Sequence, residues 1–117
     1  MGPLAAPDAD GADRCWLDRF SITIGSRAGD DIVSLRGELD LASAGALHEC
    51  LASVRAHKVV IDVRRLAFID AAGMSALVVA HARTTAAGRT LVVRGARDGV
   101  RRVLVLGGLV YLFEDAP

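Results

Sequence analysis

Alternation of apolar and polar positions begins at residue 20. In FSITI, Phe20, Ile22 and Ile24 share one face, SRAGD turns the chain, and DIVSLR brings Val33 and Leu35 into the same step, which predicts a β-hairpin. GELD (residues 37–40) follows, and then the period changes. In LASAGALHECLASVRAH, Leu47, Cys50, Leu51 and Val54 recur at i, i+3, i+4 and i+7, the spacing of one buried helical face, with Ser43 as the expected N-cap. KVVIDV (residues 58–63) is a nearly continuous apolar run, as in a central strand buried on both faces. A second helix is expected from about residue 72 to 87, with Met74, Leu77, Val78, His81 and Thr85 on its inner stripe and Gly88 as the terminating C′ residue. TLVVRG reads as another buried strand. RDGVRRVLVLGG reads as a third helix with Val100, Val103, Leu104 and Gly107 inward, stopped by Gly107 and Gly108, and LVYLF as an edge strand. A hairpin followed by alternating helices and strands predicts an α/β chain with a mixed sheet, on which the helices starting near Ser43 and Ala72 pack.

Composition narrows the classes of function. The chain has 117 residues, enough for one core that buries roughly 65% of the surface the unfolded chain exposes. Residues 1–15, MGPLAAPDADGADRC, mix Pro, Gly, Ala and Asp without a hydrophobic period, so they predict a disordered segment ahead of a single domain over residues 16–117. Basic and acidic residues number 14 each, for a net charge of zero. Such a balance gives no long-range field toward a polyanion, and no nucleic-acid partner is expected. Only Lys58 among the basic residues is lysine, and alanine is abundant, the bias of a GC-rich bacterial coding sequence. There is no leader pattern, and the longest mostly apolar run, residues 103–113, is too short to span a bilayer; a cytoplasmic protein without membrane insertion is expected. Cys15 and Cys50 have neither CxxC nor metal spacing and read as idle or buried thiols.

Candidate chemistry is sparse. Asp40, His48, Asp62, Asp70 and His81 form no nucleophile, base or metal constellation by spacing, so no catalysis and no cofactor are expected. Asp62 reads as a structural acid bonded to nearby amides, and His81 as a histidine at the core edge. No phosphate-binding glycine pattern opens a helix. Arg89, Arg94, Arg97, Arg101 and Arg102 make a basic segment without interleaved aromatics, which reads as a solvated face, with Val105 and Val110 as apolar neighbours.

The most informative stretch is FIDAAGMSALVV (residues 68–79), where an apolar strand end meets Asp70 and then a helix. Asp70 is placed to cap that helix through the N–H of Ala72 or Gly73, and Gly73 at the third helical position excludes a Glu or Gln capping box. GELD after a second strand, an amphipathic helix, VVIDVRRLAFIDAAGMSAL and RDGVRRVLVLGGL together resemble the STAS domain, and within it the anti-sigma factor antagonists, over about residues 20–113. The resemblance implies a STAS-like mixed sheet of four or five strands with helices packed mainly on one face. It also implies a non-catalytic module that sequesters an anti-sigma factor of the GHKL serine kinase type and so promotes sigma-dependent transcription. In phosphorylation-controlled members, the residue after the aspartate is a serine that this partner modifies, whereupon binding is lost. Ala71 stands at that position, so the usual off switch is missing; Ser75 is the only nearby hydroxyl and reads as a helix-surface serine. The resemblance places the partner on residues 38–41 and 68–74 and the exposed side of the next helix. Glu38, Asp40, Ile69, Asp70, Ala71, Ala72, Gly73 and Met74 are the contact candidates, the two aspartates as polar rim and the small residues as points of close approach. A second assignment, to STAS subunits that regulate the ATPase of a lipid-transporting ABC complex, stays open, as does a homodimer.

Overall fold

The period-two runs become strands whose main apolar side packs under three helices, while the central strand is buried on both faces, Val60 being 0% exposed outside the core that the helices cover. In this computed structural model, residues 13–17 and 19–114 are described. The elements are β1 (Asp13–Leu17), β2 (Phe20–Arg27), β3 (Asp30–Leu39), α1 (Leu41–Leu51), β4 (Lys58–Ile69), α2 (Ala71–Ala86), β5 (Thr90–Arg94), α3 (Asp98–Leu106) and a 3-10 turn, Val110–Leu112. Strand order across the sheet follows chain order, with β1–β2 and β2–β3 antiparallel and β3–β4 and β4–β5 parallel. The expected hairpin is β2–β3, where Ile22 pairs with Leu35 and Ile24 with Val33. Its two turn residues, Ala28 and Gly29, both take positive φ (54° and 87°), as a primed turn between twisted strands requires.

One core joins the sheet to the helices. Ile22, Val33, Leu35, Leu39, Val59 and Ile61 meet Leu47 of α1, Leu77 of α2 and Leu104 of α3, and each is no more than 1% exposed. The run from Val59 to Val63 is buried throughout, Asp62 included, as its nearly continuous hydrophobicity predicts. Gly88 and Gly108, both at positive φ, end α2 and α3 with paired Schellman bonds: Arg89 and Gly88 donate back to Thr84 and Thr85, Leu109 and Gly108 to Leu104 and Val105.

Several expectations change. Ser43 is not the N-cap of α1; Asp40 is, and Ser43 is the third helical residue of a capping box in which each side chain bonds the other's backbone N–H. The inner stripe of α2 is Gly73, Ala76, Leu77 and Ala80, so small residues set a close approach. Met74, Val78 and His81 lie at its flank; the Met74 sulfur packs toward Gly107, and the His81 ring meets Tyr111 edge-on at 5.3 Å. LVYLF is no edge strand. Leu109 and Leu112, three residues apart, are both buried, a spacing that a 3-10 turn serves, and only Phe113 bridges to Val93. The turn's exit is tied by Glu114, whose carboxylate accepts from Arg94 Nε at 2.7 Å and Nη2 at 2.6 Å. Folded structure also begins before Trp16, since β1 starts at Asp13 and pairs with β2. The disorder expected for residues 1–12 lies outside the described residues.

At Gly73 the chain's own backbone approaches closely. A Cβ there would stand 2.2 Å from the Leu39 carbonyl oxygen and 2.8 Å from Ile69 Cγ1, and the first of these is backbone. Gly45, inside α1, has nothing within 4 Å of the same added atom. Gly73→Ala is therefore expected to cost about 3 kcal/mol in urea denaturation, whereas Gly45→Ala should gain up to about 1 kcal/mol from helix propensity. The Arg94 guanidinium, with Lys58 behind it, holds the Glu114 carboxyl below its usual 4.5. A depressed carboxylate contributes stability that is complete above the unfolded value and disappears as pH falls through the folded one. Thermal melts of Glu114→Gln should thus lie below those of the native chain at pH 7 and converge with them below about pH 4.

Candidate functional site

β3 and β4 run parallel and finish level, with Leu39 beside Ile69. Each then enters an aspartate and a helix without a connecting loop, so α1 and α2 start side by side at one end of the sheet. Asp40 Oδ1 accepts from Ala42 N at 3.0 Å and Ser43 N at 3.2 Å, and the Ser43 hydroxyl, 2% exposed, accepts from Asp40 N at 2.9 Å and donates to the Glu38 carbonyl at 2.8 Å. Asp70 Oδ1 accepts from Gly73 N at 2.9 Å, and Asp70 N donates to the Leu39 carbonyl at 3.3 Å. Both carboxylates face positive helix ends, an arrangement that adds to each cap. Asp40 and Asp70 are thus fixed by their helices, each with one oxygen bonded to its own first turn.

The structure divides the contact candidates. Ala71 is exposed at the first position of α2; Asp70, Ala72 and Met74 are half-buried. Glu38 is also half-buried, 3.9 Å from Arg19. Ile69, 3% exposed, and Gly73 are buried. The backbone lying against Gly73 is that of Leu39, so this glycine serves internal packing and not the approach of another molecule. Two apolar side chains complete the surface. Leu41, at the first position of α1, is 81% exposed, and Phe68, paired in register with Glu38, is 48% exposed. Neither was singled out as an anchor from the sequence, although Leu41 stands off the stripe of Leu47, Cys50 and Leu51 and so had no place in the core. Leu41, Phe68 and Ala71 are thus exposed and uncharged at these strand ends and helix starts, where Glu38, Asp40 and Asp70 also stand. Ser75 is exposed one helical turn beyond Ala71.

Elsewhere, Asp62 is a structural acid. Asp62, 6% exposed, accepts from one amide, Arg64 N at 3.0 Å, but is held mainly by the Arg64 guanidinium, whose Nε and Nη2 lie 3.1 and 2.9 Å from Oδ2. That bond raises the Arg64 guanidinium further above its usual value. Among the described residues, no group of three or more His, Cys, Asp or Glu could hold a metal ion, and no helix is long and apolar enough to cross a membrane.

Comparison with known proteins agrees with this architecture. The family model described as "Mlab, STAS domain" matches residues 22–113. An anti-sigma factor antagonist from Mycobacterium paratuberculosis superposes with a TM-score of 0.70 at 26% identity, over 85% of this chain and 86% of that one. A sulfate transporter family protein from Wolinella succinogenes gives 0.68 at 24% identity, over 79% and 78%. The anti-sigma factor antagonist SpoIIAA in its unphosphorylated form gives 0.68 at 18% identity, over 82% and 88%. No curated protein matches the chain in sequence. With the GELD and FIDAAG segments at the ends of adjacent parallel strands and helices on one face of a mixed sheet, the chain belongs to the STAS domain family.

Proposed function

We propose that the protein is an anti-sigma factor antagonist, a non-catalytic module that holds an anti-sigma factor, a GHKL-type kinase, on the surface around Leu41, Phe68 and Ala71. The observation that carries this reading is the exposure of Leu41 and Ala71 at the paired helix starts, with Phe68 exposed at the end of β4. Large side chains left in water next to small ones suit a protein contact, in which a few anchors supply most of the binding energy. The similarity to an antagonist of known structure supports the same assignment. Ala71 carries no hydroxyl, so the roughly −1.5 to −2 charges that phosphorylation would add never arrive at this face, and binding stays permitted.

A second reading has its own support. The matching family model is described by Mlab and not by an antagonist, and the missing hydroxyl suits a STAS subunit of a lipid-transporting complex, whose partner is an ATPase.

Substitution at the patch tests the first reading. Affinity capture from the native lysate should retain a kinase-type anti-sigma factor. Ala71→Asp adds charge where an acid is favourable to the helix by about 0.3–1 kcal/mol, so its melting temperature should hold or rise. Its affinity for that partner should nonetheless fall at least tenfold, and Leu41→Ala and Phe68→Ala should each lose about 1–2 kcal/mol of binding. Equal binding by all three variants places the interface elsewhere, and recovery of a transporter ATPase favours the second reading.

A further inference from the structure

The helix-free face of the sheet carries a polar cleft that partner binding at the helix starts does not use. Thr23 pairs in register with Ser34 and Ser34 with Asp62; one step along, Ser21 pairs with Arg36 and Arg36 with Arg65. These side chains and Arg64 line a cleft of about 320 Å³. Between the Ser34 and Arg36 pairs the register slips, β4 advancing three residues while β3 advances two. The bulge sends the consecutive residues Arg64 and Arg65 outward together, and both border the cleft.

The charges do not balance locally. Three arginines (36, 64, 65) face one acid, Asp62, which leaves a net excess of two positive charges. Asp62 is taken by Arg64, whose stem is pinned across Gly95, where an added Cβ would meet Arg64 Cγ at 2.2 Å. Arg36 and Arg65, facing each other across adjacent strands, have no carboxylate partner among the described residues. Like charges placed directly opposite are destabilising. Ser21, only 8% exposed, lines the same cleft, and its hydroxyl makes no hydrogen bond among the described residues. A buried hydroxyl without a partner costs free energy that a ligand oxygen would recover.

We propose that this cleft binds a compact phosphate-bearing molecule, with Arg36 and Arg65 clamping the phosphate oxygens and the Ser21, Thr23 and Ser34 hydroxyls completing the cage. Guanidinium forks match tetrahedral oxyanions by paired N–H donation, and two forks with three hydroxyls suit one or two phosphates better than a single carboxylate. The volume is at the small end for a ligand site. An open surface depression shares Arg64 and Arg65 with the cleft and extends over Leu66, Ala67 and Arg97, leaving room for the rest of the molecule. The site is distinct from the proposed partner surface, and its outcome does not depend on that reading.

The test is calorimetric titration of the full-length protein with inorganic pyrophosphate in 50 mM salt, with a parallel arm measuring co-sedimentation with vesicles containing phosphatidic acid. Saturable binding of pyrophosphate supports a soluble ligand; capture by the vesicles alone supports a lipid headgroup as the source of the same phosphate. In either arm, Arg36→Gln combined with Arg65→Gln should weaken binding at least tenfold, while Arg83→Gln, on α2 away from the cleft, should leave it unchanged. Removing two facing cations should keep the melting temperature or raise it. Arg65→Lys, which keeps the charge but not the fork, should fold as the native chain does and lose several-fold in affinity. Binding in neither arm, or equal binding by the double variant, overturns the proposal.

Discussion

Everything at the presented end of this molecule depends on the contact between the first turn of α2 and the Leu39 carbonyl. β3 and β4 end level, and each turns into a helix within one residue. Two helices can start so close together only if one lies directly on the other's strand end, and Gly73 is the residue whose missing side chain allows it. Asp40 and Asp70 then satisfy helix N–H groups that no loop is present to cover. The consequence is a rigid corner. The first residue of each helix, Leu41 in one and Ala71 in the other, is held outward by elements buried on their other side, and Phe68 joins them from the end of β4. A docking surface built on helix starts and a strand end holds its geometry better than one built on a loop.

Much of this was legible in the sequence where the signal was local. The β2–β3 hairpin, the buried β4 run, the Asp70 cap and the glycines closing α2 and α3 each rest on a few adjacent residues, and each stands in the structure. Errors arose where tertiary contact decided between local options. Asp40 and Ser43 are both capping residues three apart, and the box uses both, so choosing one as the cap was bound to mislead. In α2, large side chains outweighed small ones in the periodicity, yet Ala76 and Ala80 face inward because the helix sits close, while Met74, Val78 and His81 are left to its flank. LVYLF has strand propensity, but Leu109 and Leu112 are claimed by the core at a three-residue spacing. Gly73 shows the same logic in reverse: its smallness predicts room for a partner, and the chain's own backbone fills the space.

The two faces of the sheet divide the work. Helices cover one face and place their starts at its end. On the other face, the β4 bulge turns a regular alternation into a concentration of arginine beside unpaired hydroxyls. Neither feature follows from composition, since a net charge of zero conceals a local excess of two positive charges. Arg64 shows how such a patch stays ordered: Asp62 and Gly95 fix it, leaving its two neighbours available.

The central claim is that a methyl group at Ala71 keeps the corner permanently available to its partner. Its most direct test is to incubate the complex with the captured kinase and ATP, then measure the mass of this protein and the fraction still bound. The account predicts an unchanged mass and undiminished binding. A stoichiometric phosphate, on Ser75 or elsewhere, accompanied by release of the partner would contradict it.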